Sequence, residues 1–229
     1  MIAFQSVSKI YNHHANSVAL EEVTFEVAPG EFVSLAGRSG AGKSTVIKLL
    51  IGEDRPSKGR IYFNQYEVNK LQDDELPAFR RHVGVIFQDF RLLPTKTARE
   101  NVAFAMEVAG RSQHEINELV PQVLDMVGLG DKAHNFPAQL SGGEKQRVGI
   151  ARAMIHRPEV VIADEPTGNL DPLNAYEIIK LLEKINKLGT TVILATHDKE
   201  VINALGRRVI TLDRGRIIRD EEKGKYILV

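Results

Sequence analysis

The segment Gly37-Arg38-Ser39-Gly40-Ala41-Gly42-Lys43-Ser44 constrains this 229-residue chain more than any other. It follows a strand-like run, Glu31 to Ala36, which reads Phe-Val-Ser-Leu-Ala after the glutamate, and leads into a helical stretch, Lys43 to Ile51. The spacing is that of a phosphate-binding loop, G-x-x-x-x-G-K-[ST]. Small residues let successive backbone N–H groups wrap a phosphate, and the helix N-terminus adds a favourable dipole. Lys43 has the reach for β- and γ-phosphates, and the Ser44 hydroxyl, followed by Thr45, suits Mg²⁺. A glycine-rich turn that merely caps a structural helix is disfavoured by the strand–loop–helix context. The segment therefore asks for a buried strand before it and a helix after it.

The rest of the chain supplies that setting. Val23 to Val27 alternates apolar and polar residues, the period of a half-buried strand, and Pro29-Gly30 marks a turn. Ile61 to Phe63 and Val83 to Phe87 are further β-rich runs. Val160 to Ala163 and Val192 to Ala195 are short continuous apolar runs, as in a parallel sheet covered on both faces. Helical stretches at Leu173–Lys187 and Lys199–Leu205 separate them, which predicts an α/β architecture. Val209 to Ile218 reads as a hairpin around Asp213-Arg-Gly215. The middle differs. From Asp89 to Arg157 no strand pattern appears, while Ile116, Leu119, Val120, Val123, Leu124 and Val127 share one helical face. Pro121 either kinks that helix or restarts it in a first turn. One domain is expected over residues 1–229, with 1–88 and 158–229 as an α/β core and 89–157 as a helical insert.

Composition removes other classes. Lys plus Arg number 30 and Asp plus Glu 30, so the formal charge is zero, which argues against broad nucleic-acid binding. The chain has no Cys, so disulfides, thiolate metal sites and a Cys nucleophile are excluded. No run of 18 apolar residues appears, and the N-terminus lacks the pattern of a signal peptide. A cytoplasmic location is the expectation.

Two more stretches carry chemistry. The strand Val160 to Ala163 ends in Asp164-Glu165. In a phosphate-loop fold the first such carboxylate sits near Mg²⁺, usually through water. Successive residues point different ways, so Glu165 is free to face an attacking water as general base. Two solvated acids at a strand end would be the plain alternative. His197 follows the strand Thr191 to Thr196, at the end where parallel sheets bind ligands, and suits a γ-phosphate or the water. The other histidines, 13, 14, 82, 114, 134 and 156, are assigned no chemistry. Leu140-Ser141-Gly142-Gly143-Glu144 opens a helix. Ser141 is a good N-cap, and the glycines leave N–H groups accessible as a second anion cradle. Helix capping alone would also explain it locally.

Taken together, the phosphate loop, Gln88, Leu140–Glu144, Asp164-Glu165, Gly168-Asn-Leu-Asp171 and His197 resemble the ATP-binding subunit of an ABC transporter, in that family's order and over essentially the whole chain. The resemblance implies an ABC-type P-loop ATPase fold with an N-terminal antiparallel β region. It implies ATP and Mg²⁺ as ligands, and a head-to-tail homodimer holding two ATP. Residues 37 to 45 would cradle one nucleotide, with Ser141, Gly142, Gly143 and Asp171 acting on it from the partner. Glu165, His197 and Lys43 would be catalytic. Ser44, Gln88 and, through water, Asp164 would hold the metal. Tyr11 would stack on adenine, although Phe4 or Phe25 could fill nearby space and a core aromatic is the alternative.

Spacing narrows the branch. Only 52 residues separate Gln88 from Ser141, too few for the long coiled coils of chromosome-maintenance relatives. Beyond His197 come 32 residues, short for the regulatory domain of many sugar importers. Asp89-Phe-Arg-Leu-Leu-Pro94 resembles the surface that receives a coupling helix from a membrane subunit, and packing of the insert onto the core is the alternative for Phe90, Leu92 and Leu93. The wording of Val83–Pro94, Asp131–Leu140 and Ala163–Asp171 is most similar to the cell-division branch, whose membrane partner is of the FtsX type and controls periplasmic wall hydrolases. A lipoprotein-releasing and macrolide-efflux branch shares much of it. A peripheral place at the cytoplasmic face of the cell membrane follows, with no nucleic-acid partner. A soluble ABC ATPase acting on nucleic acid or ribosomes is the reading from another class. A P-loop kinase or GTPase lacks a base-specificity motif here and leaves Leu140–Glu144 unexplained.

Overall fold

The computed structural model describes residues 1–13 and 15–224, so His14 lies outside the described residues. In chain order the elements are β1 (Ile2–His13), β2 (Ala15–Val27), β3 (Phe32–Ala36), α1 (Lys43–Leu50), β4 (Lys58–Phe63), β5 (Tyr66–Glu67), α2 (Leu76–Phe79), β6 (Val83–Ile86), α3 (Ala98–Val108), α4 (Gln113–Met126), α5 (Gly142–Met154), β7 (Val160–Asp164), α6 (Pro172–Lys187), β8 (Thr191–Thr196), α7 (Lys199–Leu205), β9 (Arg208–Asp213) and β10 (Arg216–Glu221). They fall into two compact units, Met1–Arg80 with Gly189–Val229, and Arg81–Leu188.

The first unit holds an antiparallel sheet in the order β2-β1-β4-β5. Its second set of strands is mainly parallel: β3 lies between β8 and β9, parallel to both, and β10 returns antiparallel along β9. Every residue of β3 and β8 is buried, Ser34 included, which explains why Val192 to Ala195 reads as an unbroken apolar run rather than an alternating one. Phe4 stacks on Phe25 at 4.6 Å between ring centres, so these two rings are core rather than free surface. Phe79 meets Phe63 and Tyr66 edge-on, closing the β4–β5 corner. Arg208 ties the strands at one edge, with a two-pronged bond to Asp220 at 2.7 and 2.7 Å and a further one to Glu31 at 2.9 Å. Those bonds raise its already high pKa and fix the β9–β10 register against β3.

The second unit pairs β6 with β7 in parallel and carries α3 to α6. Its helix starts are chemically specified. Thr97 with Glu100, Ser112 with Glu115, and Ser141 with Glu144 each form a reciprocal capping box, satisfying two orphan donors at a helix N-terminus. Helix α4 runs through Pro121 as one assigned helix and buries Ile116, Val120 and Leu124 on the face its spacing predicts. Between Phe87 and Glu159 the described residues contain no strand.

Candidate functional site

In the first unit, strand order and register bring the phosphate loop and His197 to one end of the sheet. Ala36 pairs with Thr196 on β8 and with Thr211 on β9, so Gly37 and His197 each stand one residue past the same row. The loop's glycines are required at two points. A Cβ on Gly37 would lie 2.6 Å from the Leu212 oxygen. Gly42 has φ +110°, and a Cβ there would approach Leu20 to 2.7 Å. The loop is tied from below by Gly215 of the β9–β10 turn, whose N–H donates to the Ala41 oxygen at 3.0 Å. The late hairpin therefore supports the loop.

Lys43 is the first residue of α1 and only 7% exposed. Its ammonium donates to the carbonyls of Gly37 at 2.6 Å and Arg38 at 3.3 Å, curling over the loop it serves. An ammonium held over a cradle of small residues at a helix start is matched to a bound anion. Arg38, Ser39 and Gly40 on the loop, and Ser44 on α1, are exposed, so the hydroxyl at position 44 is accessible to a metal ion. Among the described residues no cluster of three His, Cys, Asp or Glu could hold a metal by itself. A single hydroxyl such as that of Ser44 is the kind of donor a Mg²⁺ takes beside waters and phosphate oxygens.

Tyr11 sits on β1 with its hydroxyl committed. It donates to Asp54 Oδ2 at 2.6 Å and interacts with the Thr45 side chain, while Lys9 lies 4.8 Å over its ring and also donates to Asp54 Oδ1 at 3.1 Å. Burial, then the bond to Asp54, push the Tyr11 phenol up to about 12. Burial opposes ionisation of Asp54, but the bonds from Tyr11 and Lys9 prevail and hold its carboxyl below the usual range. The sequence pattern gave no hint of this group, because Tyr11 and Asp54 are 43 residues apart.

The second unit collects the remaining predicted residues. Ile86 pairs with Ala163, so Gln88 and Glu165 each lie two residues beyond the same row of β6 and β7. Asp164 and Glu165 are half-buried, and Glu165 adopts φ 46°, a left-handed conformation unusual for a long side chain. That twist turns Glu165 out of the strand's own alternation. The chain then closes a tight turn, with the Gly168 N–H donating to the Glu165 oxygen at 3.1 Å. Here Asn169 holds the Gln88 main chain, donating to its oxygen at 3.0 Å. Asn169 belongs to the Gly168-Asn-Leu-Asp171 motif, with no role of its own legible in the sequence. Its only signal was its place between Gly168 and Asp171.

Asp171 caps α6, accepting from the N–H groups of Leu173 and Asn174 and from the Asn174 amide at 2.6 Å. The Asn174 N–H leads the set of bonds that lower its pKa, so it stays ionised. Ser141 caps α5: its Oγ accepts from Glu144 N at 3.2 Å, and its own N–H donates to Glu144 Oε2 at 2.7 Å. Gly143 is buried against Asn174, and a Cβ there would collide with that amide. Signature segment and aspartate turn are thus packed together through Asn174.

Comparison with known proteins gives these features a family. The family model described as ABC transporter matches residues 20–168. The cell division ATP-binding protein FtsE of Bacillus subtilis is 51% identical over 221 residues, covering 96% of this chain and 97% of that protein. FtsE of Escherichia coli K12 is 49% identical, covering 95% and 97%. A solved dimeric bacterial ABC transporter cassette superposes with TM-score 0.89 at 39% identity, covering 99% of this chain and all of that one. A cassette dimer solved in a post-hydrolysis state with ADP and Pi gives 0.88 at 37% identity, covering 99% of this chain and 100% of that one. The chain belongs to the ABC transporter family, as one of its ATP-binding, ATP-hydrolysing cassettes.

Proposed function

We propose that this chain is the ATPase subunit of a membrane-associated complex of the cell-division type, in which ATP-driven dimerisation moves a polytopic partner of the FtsX type. The partner passes that movement to periplasmic cell-wall hydrolysis. The branch is supported by the identity of about half the residues with FtsE proteins over nearly the whole chain. The observation that carries the hydrolytic part is the left-handed Glu165 just past β7, two residues beyond the Ile86–Ala163 pair as Gln88 is. A strained acid at a parallel strand end is the backbone signature of a working group.

The chain's residues divide the work. Lys43 and the N–H groups of residues 37 to 45 bind the phosphates. Ser44, Gln88 and, through water, Asp164 would hold Mg²⁺, which when bound neutralises charge on the phosphate oxygens. Glu165 accepts a proton from water as the water oxygen bonds to the γ-phosphorus and the bond to the bridging oxygen breaks, leaving ADP and phosphate. His197 positions that water or the γ-phosphate. Tyr11, with one ring face toward Lys9, offers the other to adenine. Ser141, Gly142, Gly143 and Asp171 act on the nucleotide of a second copy, arranged head to tail.

No described helix is long and apolar enough to cross a membrane. Phe90, Leu92 and Leu93 are half-buried and Pro94 exposed, and Lys96 lies 5.8 Å over the 40% exposed ring of Phe104. This apolar surface is where a membrane subunit would dock at the cytoplasmic face. Purification of the tagged chain from detergent-solubilised membranes tests the reading. The expected result is stoichiometric recovery of an FtsX-type membrane protein, lost with Leu93→Asp. Recovery of ribosomes or DNA and no polytopic membrane protein would contradict it.

A further inference from the structure

Two consecutive bulky residues just after Gln88, Phe90 at φ 59° and Arg91 at φ 46°, adopt the left-handed conformation. Such a pair is strained for L side chains with a Cβ and persists only where surroundings hold it. The holding group is Arg152, on the last turn of α5. Its Nη1 donates to the Arg91 oxygen at 2.6 Å and its Nη2 to the Phe90 oxygen at 2.9 Å. The planar fork of a guanidinium suits two neighbouring carbonyls, where a lysine would serve one. The partners are main-chain oxygens rather than a carboxylate, and burial pulls the Arg152 pKa below the ordinary value, so this is a desolvated charge spent on backbone geometry.

The strained pair is anchored on both sides. Upstream, Asn169 holds the Gln88 oxygen at 3.0 Å. Downstream, fully buried Asn101 accepts from Leu93 N at 2.7 Å and donates to the Leu93 oxygen at 3.1 Å. Within the loop, the Arg91 guanidinium stacks 3.8 Å over Phe87 and lies 3.4 Å from Asp89. Between these anchors, the Arg152 bonds hold the two carbonyls of the strained pair from outside the loop.

We propose that Arg152 is a positioning residue for Gln88: its fork holds the Phe90–Arg91 turn, and so links the helix that starts at Ser141 to Gln88 and to the Phe90–Pro94 surface. Pulling on α5 or on the docking surface loads the same two hydrogen bonds. Their release lets the turn relax and loosens the placement of the Gln88 side chain, while Asn169 still holds its main-chain oxygen. The catalytic half of this statement rests on the role proposed above for Gln88.

The test uses the full chain with Arg152→Met, Arg152→Lys, Gln88→Ala and the double variant Gln88→Ala/Arg152→Met. Two readouts are taken: amide hydrogen exchange at Phe90 and Arg91, whose N–H groups donate to the Phe87 and Asp89 oxygens, and kcat with KM for Mg-ATP. Arg152→Met is expected to speed exchange at those two amides by about tenfold or more while residues 143–150 stay protected and Tm is nearly kept. It lowers kcat by roughly tenfold to a hundredfold at unchanged KM, as a misplaced polar group does, with Arg152→Lys between. Added to Gln88→Ala it costs less than about twofold more, because both act through one group. Unchanged exchange at Phe90 and Arg91, in Arg152→Met or, if that variant does not fold, in Arg152→Lys, overturns the clamp. A fully multiplicative loss in the double variant overturns the link to Gln88. A native kcat in Gln88→Ala alone overturns the reading of Gln88 instead, and the exchange result still decides the clamp.

Discussion

Asn169 donates its side-chain amide to the main-chain oxygen of Gln88 at 3.0 Å, and Gly168 beside it is small enough for the Gln88 side chain to lie against its backbone. A Cβ at position 168 would stand 2.7 Å from Gln88 Nε2. Position 168 has no left-handed φ, so Gly168→Ala tests contact rather than backbone strain. The variant is expected to bind ATP normally and to lose kcat by about tenfold to a hundredfold through displacement of Gln88. Steady-state phosphate release with an ATP titration checks it, and native kcat would show that Gln88 tolerates the shift.

Lys43→Ala removes the ammonium that lies on the Gly37 and Arg38 oxygens. Charge-assisted bonds contribute about 1.5 to 3 kcal/mol each, so ATP affinity should fall by roughly tenfold to a hundredfold or more. Titration with a fluorescent ATP analogue measures it. Native affinity would contradict the placement of phosphates on this loop.

Ser141→Ala and Ser141→Arg separate two jobs of one residue. Both lose the cap on α5, whose Oγ accepts from Glu144 N at 3.2 Å, at a cost of about 1 kcal/mol in unfolding free energy. Only the arginine adds bulk and positive charge at the proposed dimer face. Ser141→Arg should bind ATP as a monomer and fail to dimerise in sedimentation, whereas Ser141→Ala should still dimerise, more weakly. An ATP-driven dimer of Ser141→Arg would count against the head-to-tail arrangement.

Tyr11 predicts an alkaline effect. Its folded pKa is about 12 against an ordinary 10.0, so the unfolded chain sheds the phenol proton first. The unfolded state then binds fewer protons between about pH 10 and 12, and stability falls as pH rises through that window. The contribution is fully present below pH 10. Tyr11→Phe should flatten this part of the profile, and Asp54→Asn should lower the Tyr11 midpoint seen by ultraviolet difference titration. An unchanged midpoint would show that Asp54 does not hold the phenol.

Features that depend on contiguous residues were legible in the sequence. Gly37–Ser44 named its own strand and helix, and the unbroken apolar runs at β7 and β8 reported burial on both faces. Strand β1 was not legible. Its register slips between Phe4 and Val7, again before Lys9 and again before Ile10, and Ser6 is left-handed, so no period of two survives. Cross-chain partnerships were equally silent. Arg152 reaches residues 61 and 62 positions away, and Asn169 reaches back 81. Neither changes local periodicity, and a surface arginine or turn asparagine would look the same in sequence. Asp171 was read only through resemblance, while the structure also gives it a local task as the α6 cap.

The proposed hydrolysis rests on Glu165, twisted to φ 46° at the end of β7, acting as general base. Glu165→Gln keeps shape and loses the carboxylate. Single-turnover phosphate release with Mg-ATP measures the step itself. General-base assistance is worth about 10²- to 10⁴-fold, so Glu165→Gln should bind ATP at native affinity and release phosphate slower by that factor. Phosphate release at the native rate from ATP-saturated Glu165→Gln would rule out Glu165 as the general base.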